Sequence, residues 1–201
     1  MKKAIITGAT GLIGSALARY LFKKGIDVLC LGRKNLNDSE KSSLFGSEDI
    51  NYLAIEMEDI ISLPDEIERM NWTPGDFCVF YNFAWGGRER LTDGEFKDQF
   101  INAIYSSNAV LSAKYLGCQK FVNVGTVEES FAELFLKDKD ENKSYNSTQS
   151  NYALSKLASR DMCKMISYLE KIDYVHTQLS VPLDSTLSKG GYISSVLAKI
   201  K

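Results

Sequence analysis

Apolar residues fall in short runs separated by longer amphipathic stretches. Lys3–Thr7 reads as a buried strand, and Leu12–Lys24 repeats Leu12, Ala16, Leu17, Tyr20 and Leu21 at near-helical spacing. Gly25 is the expected stop of that helix, and Asp27–Leu31 is a second strand. Further strands are expected at Ile50–Ile55, Phe77–Phe83, Lys120–Val124 and Tyr174–Leu179. Helical patterns occupy Asp65–Met70, Gly94–Leu116 and Asn151–Glu170. Strands alternating with helices imply βαβ units, hence an α/β protein built as a three-layer, doubly wound parallel sheet.

Composition narrows the function classes. In 201 residues, 24 Lys and Arg stand against 26 Asp and Glu, a formal net charge of −2. That balance argues against nucleic-acid binding or an electrostatic membrane anchor. No apolar stretch approaches the ~18 residues of a membrane span, and glycine and polar residues interrupt Met1–Gly8 too early for a secretory leader. Cys30, Cys78, Cys118 and Cys163 form no C-x-x-C pair. They read as buried structural thiols, in keeping with a reducing cytoplasm. With His176 the single histidine, a His-based triad or multi-histidine metal site is not expected, and His176 itself reads as a packed, hydrogen-bonded residue. The segment Val127–Ser150 holds six acidic and three basic residues. Its Phe131, Leu134 and Phe135 predict a short packed helix inside a function-bearing loop.

The first strand runs directly into Gly8-Ala-Thr-Gly11-Leu-Ile-Gly14, which opens the first helix. Glycines permit the tight turn, the close approach of backbone to a pyrophosphate, and close helix–strand packing. The helix N-terminus then attracts the phosphates. Thr10, Leu12 and Ile13 lie within this loop and are expected at the cofactor with the three glycines. The second strand ends in Leu31-Gly32-Arg33-Lys34, without the carboxylate that commonly holds the adenosine ribose. Arg33 suits a 2′-phosphate, which favours NADP(H) over NAD(H); a solvated turn is the alternative. Asp59 is placed to accept from the adenine amino group, or to cap the next turn.

Tyr152-Ala-Leu-Ser-Lys156 begins a strong helical pattern, so phenol and ammonium share one face. A neighbouring ammonium favours the phenolate, which makes a tyrosine a usable acid/base. The spacing alone is common by chance. The strand end Val124-Gly125-Thr126 raises its weight, because Thr126 can hold a substrate hydroxyl or carbonyl beside Tyr152.

Taken together, Thr7-Gly8-Ala-Thr-Gly11-Leu-Ile-Gly14, Glu58-Asp59-Ile60, Asn82-Phe83-Ala84-Trp85, Asn102, Val124-Gly125-Thr126 and Tyr152–Lys156 resemble the extended short-chain dehydrogenase/reductases, the epimerase/dehydratase group acting on nucleotide sugars. The resemblance implies an NAD(P)-binding Rossmann fold over residues 1–185. Tyr152 would be the acid/base, Lys156 the ribose-binding residue that tunes it, Thr126 the family's Ser/Thr, and Asn102 the brace of the active-site helix. Ile60, Phe83 and Ala84 would line the cofactor beside Asp59. A homodimer through the helices at 94–116 and 151–170 is also implied.

This chain departs from the family pattern at several positions. Asn82 stands where the family often has His, a change expected to alter only cofactor-side hydrogen bonding. Gln178 stands where many members carry Arg, and Val127 replaces the acid of the 4,6-dehydratases. Loss of that acid tilts the reading toward 4-keto reduction of a nucleotide-linked deoxyhexose, with 4-epimerisation or 4,6-dehydration as alternatives. Glu128, Trp85 and Arg88 are candidate substrate contacts, although Glu128 and Arg88 also read as surface charges. Residues 186–201 read as the start of a substrate-binding lobe that appears truncated, which raises a non-catalytic dinucleotide-binding module as a further alternative.

Overall fold

The computed structural model describes residues 1–75, 77–87, 94–138, 140, 142–145 and 147–182. Six strands are present: β1 (Lys3–Thr7), β2 (Asp27–Gly32), β3 (Asn51–Ala54), β4 (Cys78–Asn82), β5 (Lys120–Thr126) and β6 (Asp173–Leu179). Between them lie α1 (Leu12–Lys23), α2 (Asp38–Phe45), a 3₁₀ turn (Met57–Ser62) running into α3 (Leu63–Arg69), α4 (Phe96–Tyr115), α5 (Glu128–Lys137) and α6 (Ser150–Glu170). The strands form one parallel sheet in the order β3-β2-β1-β4-β5-β6, the doubly wound arrangement expected from the alternation.

The two faces of β1 show how the layers divide. Ile5 joins a core with Leu29, Leu63, Phe80, Val110 and Phe121, which buries α3, α4 and α6 against the sheet. Ala4 and Ile6 point the other way, with Val28, Ala18, Leu21 and Phe45 beneath α1 and α2. All four cysteines are free and buried, as their apolar surroundings predict.

The hydrophobic pattern does not reveal α2, which presents little apolar surface beyond Phe45. It is set instead by a capping box, in which Asn37 and Glu40 satisfy each other's backbone N–H groups, and by left-handed Gly46 at its end. The helix expected within 127–150 exists as α5, but its packing differs from the expectation. Glu129 and Ala132 are the buried residues, while Phe131 and Leu134 are exposed. Of the three apolar residues that predict the helix, Phe135 alone is half-buried, packed edge-on against Tyr145 at 5.2 Å. The expected boundary at 185 and the segment 186–201 lie outside the described residues.

Candidate active site

The carboxyl ends of β1, β4 and β5 meet beside the start of α1, the place where parallel sheets of this winding bind ligands. A left-handed Gly8, at φ +62°, turns the chain out of β1. A Cβ at Gly8 would stand 2.8 Å from the Ala84 nitrogen, and one at Gly14 would stand 2.8 Å from the Ala9 Cα. Glycine is therefore what lets α1 approach β1 and β4 so closely. The Gly11 N-cap has no side-chain cap, so the first N–H groups of α1 are not taken by a capping side chain. Such an uncapped N-terminus, reached through a glycine turn, fits the pyrophosphate of a dinucleotide.

A buried polar row stands beneath this loop. Thr7, Asn82, Asn123 and His176 occupy equivalent positions on neighbouring strands. Thr7 Oγ1 donates to Asn82 Oδ1 at 2.8 Å and accepts from the Phe83 and Ala84 N–H groups, both at 3.1 Å. Asn82 Nδ2 donates to Asn123 Oδ1 and Ser106 Oγ, and Asn123 Nδ2 donates to Ser159 Oγ. Asn82 thus uses its amide within the protein rather than changing only cofactor-side bonding. It is 2% exposed, and its row ties β4 to α4 and, through Asn123, to α6.

Lys156 lies 4% exposed on α6. Its Nζ donates to the Val124 carbonyl at 2.9 Å and sits 3.7 Å from the centre of the Trp85 ring. A desolvated cation over an indole is held by about 2 kcal/mol. The same ammonium lies 5.9 Å from the Tyr152 ring, and Trp85 meets Tyr152 edge-on at 6.0 Å. Trp85 is fixed in turn by its Nε1, which donates to Gln99 Oε1 at 2.8 Å. Trp85, Tyr152 and Lys156 thus converge on the end of β5, where Thr126 is the last residue.

Asn102 sits one element away and braces a loop. Its Oδ1 accepts from the Gly86 N–H at 2.7 Å, and its Nδ2 donates to the Asp98 carbonyl at 2.8 Å. It therefore joins the segment after β4 to α4. Glu128 accepts from Ser147 Oγ at 2.8 Å and lines a cavity of about 600 Å³ with Phe131, Leu134 and Tyr145.

At the end of β2, Gly32 lies under the Tyr52 hydroxyl and 3.1 Å (from an added Cβ) below Thr10 Cγ2. Tyr52 donates to the Lys34 carbonyl at 2.7 Å, and burial pushes its phenol up to about 12. Arg33 is exposed at the same strand end, Asp59 is exposed in the 3₁₀ turn, and Ile60 is buried beside it. Leu12 and Ile13 are half-buried in the first turn of α1. Arg88 lies outside the described residues.

Several residues of the site escaped sequence reasoning. Thr7 carries only the weak signal of a hydroxyl residue before the glycine turn. Gln99 and Glu129 carry no signal in the sequence, yet both are fully buried. Glu129 Oε1 accepts from the Thr126 N–H at 2.8 Å, and its Oε2 meets His176 Nε2 at 2.7 Å. Among the described residues there is no group of three or more His, Cys, Asp or Glu able to hold a metal, and no helix long and apolar enough to cross a membrane.

Comparison with known proteins agrees with this geometry. The Bordetella bronchiseptica enzyme WbmG, solved with NAD, is 15% identical with a TM-score of 0.70 over 98% of this chain and 59% of its own. The UDP-glucose 4-epimerase of Thermotoga maritima, solved with UDP-glucose, is 16% identical with a TM-score of 0.63 over 88% of this chain and 54% of its own. The UDP-glucuronic acid 4-epimerase of Bacillus cereus, solved with NAD, is 18% identical with a TM-score of 0.60 over 89% of this chain and 57% of its own. The chain thus spans a little over half the length of these structures. No curated protein sequence matches it. The sequence model of one enzyme family does, over residues 4–183, and with the glycine turn and the Tyr152–Lys156 pair inside that span, the chain belongs to the NAD dependent epimerase/dehydratase family.

Proposed function

We propose that this chain carries the dinucleotide-binding and proton-transfer half of an enzyme that reduces the 4-keto group of a nucleotide-linked deoxyhexose, with NADP(H) preferred. The observation that carries this reading is the buried Lys156 ammonium packed between Val124, Trp85 and Tyr152 at the end of β5. Bound there, a nicotinamide dinucleotide supplies the hydride.

Each residue then has a defined task. The α1 N-terminus and the turn from Gly8 to Gly14 bind the pyrophosphate. Asp59 and Ile60 line the adenine, and Arg33 pairs with a 2′-phosphate. Phe83 and Ala84, whose N–H groups are held by Thr7, line the cofactor with their remaining surface. Lys156 holds the ribose hydroxyls and favours the phenolate of Tyr152, which makes the phenol a readier proton donor. Tyr152 passes its proton to the sugar O4 while the Thr126 hydroxyl orients that oxygen. Val127 stands half-buried at the start of α5, where the dehydratases carry an acid, which supports reduction over water elimination. Glu128 and Trp85 face the sugar.

The four buried thiols suit a reducing cytoplasm. Exposed Tyr115 and Leu111 on α4, with Met165 and Tyr168 on α6, suit a homodimer through these two helices.

Tyr152→Phe tests the reading. Turnover of a nucleotide-linked 4-keto sugar should fall by about 10²–10⁴ while dinucleotide affinity is retained; unchanged turnover would refute it. The named 4-epimerase relatives motivate one competing reading. A 4-epimerase recycles its nucleotide, so stoichiometric loss of NADPH absorbance separates the two.

A further inference from the structure

Glu129 is buried and His176 half-buried next to Thr126, yet neither belongs to the proposed proton-transfer set. The Glu129 carboxylate is fully buried and takes the Thr126 N–H on one oxygen and His176 Nε2 on the other. On the far side of the ring, His176 Nδ1 lies 3.2 Å from the Tyr174 hydroxyl. That hydroxyl donates to the Arg160 carbonyl of α6, also at 3.2 Å. Arg160 is one turn along α6 from Lys156.

The Tyr174 hydroxyl has one hydrogen and two acceptors within reach, the Arg160 carbonyl and His176 Nδ1. Burial pushes the Tyr174 phenol up, so it keeps that hydrogen. The Arg160 guanidinium pairs with Glu133 and Asp161, and Lys156 donates to Val124, so His176 Nε2 is what meets the second Glu129 oxygen. The backbone has been shaped for this pair: a Cβ at Gly125 would fall on both His176 Nε2 and Glu129 Oε1.

We propose that Glu129 and His176 are positioning residues: a hydrogen-bonded clasp that sets the backbone of Thr126 at the end of β5 and, through Tyr174, its register with the helix that carries Tyr152 and Lys156. The role in turnover rests on the function proposed above; the clasp itself does not.

Two measurements on the full chain test it. His176 is the sole histidine, so a long-range ¹⁵N–¹H correlation spectrum reports its ring without overlap. Nε2 should appear protonated and hydrogen-bonded, and Glu129→Gln should shift its signal. In kinetics with a nucleotide-linked 4-keto sugar, Glu129→Gln should lower kcat about tenfold or more while the sugar KM and dinucleotide Kd move less than about threefold. Tyr174→Phe, a milder change that keeps the Glu129–His176 contact, should lower kcat less and leave the KM alone. An unprotonated Nε2 in the wild-type protein overturns the clasp. A Glu129→Gln enzyme within about twofold of wild-type kcat overturns its positioning role. Absence of any wild-type turnover would instead count against the proposed reaction, and the ring-nitrogen comparison would still decide the clasp.

Discussion

Replacing Gly14 by alanine tests whether the closeness of α1 to the sheet creates the phosphate site. The added Cβ would fall on the Gly8 carbonyl oxygen and stand 2.8 Å from Ala9 Cα and 2.9 Å from the Gly8 carbonyl carbon, where ordinary contact begins at 3.4 Å. These are backbone atoms of the turn, so no side chain can swing aside. The N-terminus of α1 must retreat by about 1 Å, or the turn must open by the same amount. Overpacking of this kind costs about 1–3 kcal/mol. For a domain of this size that corresponds to a Tm lowered by roughly 2–12 °C. The same retreat lengthens several phosphate hydrogen bonds at once, and the loss of one or two of them should weaken dinucleotide binding by about 10–100-fold. Gly11→Ala is the control, because its Cβ meets only the Gly8 carbonyl oxygen, at 3.2 Å. Isothermal titration with NADPH and NADH, with thermal melts alongside, measures both effects. If Gly14→Ala binds within about twofold of wild type, or loses no more than Gly11→Ala, the close-approach argument is wrong.

Three further outcomes follow from other parts of the molecule. Arg33→Ala should weaken NADPH binding by about 10-fold or more and leave NADH nearly unchanged, since one charge-assisted contact to a phosphate contributes about 1.5–3 kcal/mol; an equal loss for both nucleotides would assign Arg33 to the turn. Burial pushes the Cys30 and Cys163 thiols from an ordinary 9.0 up to about 12. The unfolded chain therefore releases these protons first, and stability should fall from pH 9 toward 12 by about 1.4 kcal/mol per pH unit per thiol; urea melts of Cys30→Ala should show a shallower alkaline slope. Leu111→Lys combined with Met165→Lys should convert a dimer to monomer in sedimentation velocity, because each places a charge in the exposed apolar stripe of α4 and α6; an unchanged sedimentation coefficient would move the interface elsewhere.

Local chemistry carries much of what could be read before any fold was known. Strand and helix order was legible because strands covered on both faces read as short, nearly continuous apolar runs, as β1 and β2 do, while α1 and α6 repeat their buried residues at the helical period. The glycine turn was equally legible, since Gly8 and Gly14 answer steric demands that act within a dozen residues. The Tyr152–Lys156 pair is visible because a helix brings positions four apart onto one face. α2 was not, because its Asn37/Glu40 capping box does not alter the hydrophobic pattern.

Tertiary packing decided the rest. Glu129 is a charged residue in an acidic stretch, and nothing near it in sequence shows that His176, 47 residues later, lies 2.7 Å away. Asn82 and Asn123 meet only because β4 and β5 pair in parallel register. Trp85 becomes the wall of the Lys156 site only when α6 brings Lys156 against the segment that follows β4. Side-chain periodicity records whether a residue is buried, and a polar residue's burial is stabilised by partners on other elements. The sequence by itself therefore determined the sheet, its winding and the Tyr152–Lys156 pair, while the structure alone assigned the buried polar groups packed around them.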